Sequence, residues 1–89
     1  MKTVWKFPIE PNSAQGDVYR MTVNAPEDAK PICVMNQGGE ICVWMEVTPD
    51  APKKKLTLFS IGTGFGAIHP EARYIGSVMQ GHYVWHIYW

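Results

Sequence analysis

The stretch Ile32-Cys33-Val34-Met35-Asn36-Gln37-Gly38-Gly39-Glu40-Ile41-Cys42-Val43-Trp44-Met45-Glu46-Val47 decides the fold. Two runs rich in apolar and β-branched residues flank a glycine pair that can take the positive φ values of a tight hairpin turn. In the second run Ile41, Val43, Met45 and Val47 fall on one face and Cys42, Trp44 and Glu46 on the other, the period-two alternation of a strand. With Gly38 and Gly39 as a two-residue turn, Cys42 stands opposite Met35 and Cys33 opposite Trp44. The thiols are then diagonal neighbours; a wider loop would set them directly opposite, in the strained geometry of a cross-strand disulfide.

The same alternation continues on both sides of this hairpin. Upstream, Thr3–Ile9 places Thr3, Trp5, Phe7 and Ile9 together, with Pro8 near the strand end or on a sheet edge because it cannot donate to a ladder. The turn formers Pro11-Asn12-Ser13-Ala14-Gln15-Gly16-Asp17 separate it from a second strand over 18–23, where Tyr19, Met21 and Val23 share a face. Residues 24–30, with Pro26 followed by Glu27 and Asp28, suit one short helical turn capped near Asn24 or Ala25 and ended by Pro31. Downstream, 48–52 is a loop, and 54–61 alternates Leu56 and Leu58 against Phe59 and Ile61. Gly62-Thr63-Gly64-Phe65-Gly66 ends that strand and opens an irregular loop with a turn of helix before Pro70. Tyr74–Gln80 and 83–89 close the chain across Gly81-His82.

No window of a dozen residues sustains a helical period. The expectation is therefore one all-β domain over 1–89, a compact antiparallel sandwich or small barrel of about seven strands with at most one short helical turn. An apolar fraction of 46% against 18% charged residues places the chain among packed proteins.

Lys plus Arg and Asp plus Glu each total 8, so no global field draws the chain to nucleic acid or to an anionic membrane. Nothing approaches the roughly 18 apolar residues of a membrane span, and residues 1–8 carry no apolar signal core. A cytoplasmic protein with reduced thiols is expected.

Several residues invite chemistry. Lys53, Lys54 and Lys55 read as a solvated edge guard, or as an anion or nucleotide contact shared with the backbone amides of Gly62, Thr63 and Gly64. That glycine cluster lacks the Lys-Ser/Thr pair of a Walker loop and the spacing of a dinucleotide fingerprint, so a tight bend is the simpler reading. His82 and His86 are four apart, which on a strand means about 13 Å, too far for one zinc ion even with His69 or Glu71 nearby. No metal or other cofactor is expected. Neither His69, His82 nor His86 is paired in sequence with Glu71 or Glu46, and no nucleophile elbow occurs, so no enzymatic activity is expected.

The closing strand is bulky on both faces: Tyr83, Trp85, Ile87 and Trp89 on one, Val84, His86 and Tyr88 on the other. Either it lies between two sheets, or Trp44, His86, Tyr88 and Trp89 form a contact surface for a target or for a second copy of the chain.

Met1-Lys2-Thr3-Val4-Trp5-Lys6-Phe7, Asn36-Gln37-Gly38-Gly39 with Cys42-Val43-Trp44, Gly62-Thr63-Gly64, and Tyr74-Ile75-Gly76 with Val84-Trp85-His86-Ile87-Tyr88 carry a resemblance. In this order they resemble a family of small bacteriophage-encoded β domains of unknown function; loops 10–17 and 65–72 are least covered. The resemblance implies a phage origin and supplies no catalytic residues. By analogy with phage proteins of this size, it implies a stoichiometric inhibitor of a bacterial defence system, of the anti-CRISPR kind, acting by protein contact in the host cytoplasm. Two alternatives stand beside it. One is an oligomeric sponge that sequesters a nucleotide immune signal with the glycine loop, the lysine run and a stacking aromatic; the other is a histidine-dependent, nuclease-like enzyme.

Overall fold

A computed structural model describes residues 1–12 and 18–89. Seven strands follow one another: β1 (Thr3–Ile9), β2 (Tyr19–Pro26), β3 (Lys30–Gln37), β4 (Glu40–Val47), β5 (Lys53–Gly62), β6 (Tyr74–Gln80) and β7 (Tyr83–Tyr88). They form two sheets, ordered β1-β4-β3 and β2-β5-β7-β6, and every pairing is antiparallel. The two sheets are separate layers of a sandwich rather than a closed barrel.

The inner layer follows from the alternation read in the sequence. Ile41, Val43, Met45 and Val47 of β4 meet Leu58 of β5 and Ile87 and Trp85 of β7, all buried, with Met21, Val34 and Val78 around them. Burying each of these side chains is worth about 1.5–3 kcal/mol, which makes this layer the principal source of stability. β4 and β7 are interior strands of their sheets.

The β3–β4 hairpin has the expected register: Gln37 pairs with Glu40, and Gly38 and Gly39 take φ of 61° and 91°. The amide of Gly39 donates to Asn36 Oδ1 at 2.8 Å, and Asn36 Nδ2 donates to the Met79 carbonyl at 3.1 Å, tying the hairpin to β6. Cys42 faces Met35 and Cys33 faces Trp44; both thiols are free. Burial raises the pKa of the Cys42 thiol, reinforced by the neighbouring Glu40 carboxylate.

The chain departs from expectation at two places. Residues 24–30 form no helical turn: β2 runs on to Pro26, whose partner is Lys53, and the amide of Ala29 closes a turn onto the Pro26 carbonyl at 2.9 Å. Ala25 and Pro26 are buried by this extension, and Asp28 accepts from both the amide and the hydroxyl of Thr48, so the helix-capping composition serves a strand-joining turn instead. Before Pro70 there is no helical turn either. The turn spans His69 to Ala72, closed by the Ala72 amide on the His69 carbonyl at 2.9 Å, with Pro70 at the second position that its fixed φ favours. Among the turn formers of 11–17, residues 13–17 lie outside the described residues; Asn12 is fastened by its amide and carbonyl to the buried Ser60 hydroxyl, both at 3.3 Å.

The sheets come closest where β3 packs on β6. A Cβ placed on Gly76 would lie 2.9 Å from Val34 Cγ1. Gly76→Ala is expected to destabilise the fold by about 1–3 kcal/mol through overpacking. Urea unfolding should show Val34→Ala relieving part of that loss in the double variant.

The Thr48 hydrogen bonds hold the Asp28 carboxyl below its ordinary value of 3.8. A lowered folded-state pKa contributes stability that is fully present above the ordinary value and is lost as pH falls below it. Melting temperatures of the wild type and Asp28→Asn should therefore converge as pH is lowered through that range.

Candidate functional site

The outer face of the four-stranded sheet is laid out by cross-strand pairing. One row runs Tyr74–Tyr88–Phe59–Arg20 and the next Ser77–His86–Ile61. Within the first, the Tyr74 and Tyr88 rings meet edge to face at 5.4 Å, and the Arg20 guanidinium sits 5.8 Å from the Phe59 ring centre. Each contact is the geometry that ring quadrupoles favour.

Tyr74 and Ser77 are three residues apart and in a regular strand would point to opposite faces. A bulge corrects this: Tyr74 pairs with Tyr88 and Gly76 with Ile87, so Ile75 is the extra residue and the parity changes. Tyr74 Oη and Ser77 Oγ consequently lie 2.7 Å apart. Ser77 Oγ is 2.7 Å from His86 Nδ1, and His86 Nε2 is 2.8 Å from Thr63 Oγ1. Four side chains from β6, β7 and the turn after β5 thus make one hydrogen-bonded chain, and both imidazole nitrogens are taken by hydroxyls. A serine against a histidine is the beginning of a nucleophilic site, but here the ring's far nitrogen meets a neutral hydroxyl where a triad places a carboxylate to stabilise the imidazolium. The chain orients His86 on the sheet surface.

The glycine turn serves this arrangement. The amide of Phe65 donates to the Gly62 carbonyl at 3.1 Å, and Gly64 takes φ of 83°. A Cβ on Gly62 would stand 2.8 Å from Phe65 Cδ2, so the motif is used for a close turn that aims Thr63 at His86.

Of the surface residues expected from sequence, His86 and Tyr88 share this outer face. Trp44 pairs with Lys6 and Cys33 on the outer side of the other sheet. Trp89 follows β7, exchanges backbone hydrogen bonds with Arg73 at 2.8 and 2.9 Å, lies 5.1 Å beneath its guanidinium and packs against the core. The lysine run and the glycine turn occupy opposite ends of β5, about 25 Å apart at the rise of a strand. Lys54 pairs with Glu27 at 3.8 Å and Lys53 lies 5.8 Å from the Trp5 ring, so within one chain the lysines and glycines form no common pocket.

Sequence reasoning passed over Tyr74, Ser77, Phe59 and Arg20, and also a sorting of charge. The strands of the four-stranded sheet contain Arg20, Lys53, Lys54 and Lys55 and no Asp or Glu. Glu40 and Glu46 lie in the other sheet. A zero net charge hides a cationic sheet. No three His, Cys, Asp or Glu side chains gather as a metal site among the described residues, and no helix is long and apolar enough to cross a membrane.

No curated protein and no solved structure matches the chain. A family model described as a domain of unknown function, DUF7352, matches residues 1–89. A match over every residue makes this chain a member of the DUF7352 family.

Proposed function

We propose that the domain is a non-enzymatic binding protein whose contact face is the outer surface of the four-stranded sheet around β6 and β7. One observation carries the reading: among the described residues no further sheet lies over the outer face of β6 and β7, and on the edge strand β6 Tyr74 is 59% and Met79 64% exposed. The few residues that dominate affinity at protein interfaces are enriched in Trp, Tyr and Arg. Tyr74, Tyr88 and Arg20 stand together on this face, and His86 is fixed beside them by its two hydroxyl partners. The absence of carboxylates from these strands favours an acidic surface on the partner.

The resemblance to small phage-encoded domains supplies the setting. In that setting the partner is a component of a bacterial defence system, met in the host cytoplasm and inhibited by occupation rather than turnover. Of the residues expected to make the contact, His86 and Tyr88 belong to this face, whereas Trp44 would serve a second one.

The test is capture of host proteins by the tagged chain, followed by titration of the captured component. Binding should saturate at a fixed stoichiometry, and Tyr74→Ala and Arg20→Glu should each weaken it about tenfold or more while each variant keeps a cooperative unfolding transition. Undiminished binding by both variants, with loss instead in Trp44→Ala, would move the contact to the three-stranded sheet.

A further inference from the structure

The loop between β5 and β6 does not run clear of the protein. It folds back along the outer face of the four-stranded sheet and leaves a cleft of about 430 Å³ between itself and β5, β7 and β2. Phe59, Ile61 and Tyr88 line it from the sheet, Ile68 and His69 from the loop, and Arg20 from the edge strand. The volume lies within the range of small-molecule sites, which combine apolar walls with a few polar groups that fix orientation.

The loop is pinned at both ends, so the cleft is preformed. At one end is the Gly62–Phe65 turn; at the other are the His69–Ala72 turn and the paired backbones of Arg73 and Trp89. Its polar chemistry is cationic. Arg20 makes no ion pair among the described residues and is half of a guanidinium–ring contact with Phe59. His69 accepts the Glu71 amide on Nδ1 at 3.1 Å, so the neutral ring carries its proton on Nε2 and adds a donor to the lining. No carboxylate in the four strands opposes an anion here.

We propose that this cleft binds a small aromatic carboxylate, with the ring between Ile68 and the Phe59–Tyr88 surface and the carboxylate on the Arg20 guanidinium. A guanidinium presents two parallel N–H donors to a carboxylate, and aromatic walls reward a flat apolar body. One free guanidinium suits a monoanion rather than a nucleotide polyphosphate. The site uses the free chain alone and stands whether or not Tyr74 meets a protein partner.

The experiment is an amide-resolved NMR titration of the isolated protein with 1-naphthoate, and in parallel with the uncharged 1-naphthalenemethanol. Saturable shifts centred on Arg20, Ile68 and His69 are expected for the acid, with Arg20→Gln weakening it about tenfold or more and leaving the alcohol unchanged. Ala67→Trp, which places bulk in the cleft, should weaken both compounds while the strand amides keep their positions. Absence of saturation at about 10 mM, equal affinity in Arg20→Gln, or shifts gathered instead at Arg73 and Trp89 would each overturn the assignment.

Discussion

The mating of two apolar sheet faces is the constraint on which the rest of the molecule depends. Ile41, Val43, Met45 and Val47 are sealed against Leu58, Trp85 and Ile87, and a strand has only two sides. Once Trp85 and Ile87 turn inward, Val84, His86 and Tyr88 must turn outward. The surface of β7 is therefore a consequence of the core: exchanging which face is buried would require a one-residue slip against both β5 and β6, with Trp85 expelled into water.

Two bulges adjust this rule where strict alternation would fail. The one at Ile32 follows Pro31, which cannot supply a ladder hydrogen bond, and it lets Val34 return to the core. The one at Ile75 does for β6 what Ile32 does for β3, and it brings Tyr74 beside Ser77 so that the hydroxyl chain through His86 to Thr63 can close. Gly76 sits next to that bulge and gives up its side chain to let Val34 approach. Packing between the sheets and the geometry of the outer face are set within three consecutive residues.

Much of this was legible in the chain. Glycine pairs and alternating β-branched runs are local signals, and they specified the β3–β4 hairpin, the free thiols' diagonal placement and the extents of β1, β4 and β6. Membership of a family of unknown function was also expected, and the DUF7352 match over residues 1–89 agrees with that much. Pairing between distant strands is not a local property. The order β2-β5-β7-β6 separates Trp44 from His86 and Tyr88, and no spacing in the sequence announces it. The parity change at Ile75 was equally silent, because a bulge has no signature beyond a nearby glycine. The cationic character of one sheet lay in the sequence throughout, but it emerges only when charges are counted by sheet instead of over the whole chain.

This alternation leaves the β6 side of the four-stranded sheet's outer face as an exposed aromatic surface, while the loop between β5 and β6 lies over the β5 side. A soluble paramagnetic agent added to the free protein tests it directly, through the broadening of assigned side-chain resonances. Tyr74 and Met79 should broaden strongly, Tyr88 and His86 partially, and Trp85 and Ile87 least, in line with their exposure. Protection of Tyr74 equal to that of Trp85, at all protein concentrations, would contradict the account, because the face would then be occupied or buried in the protein by itself.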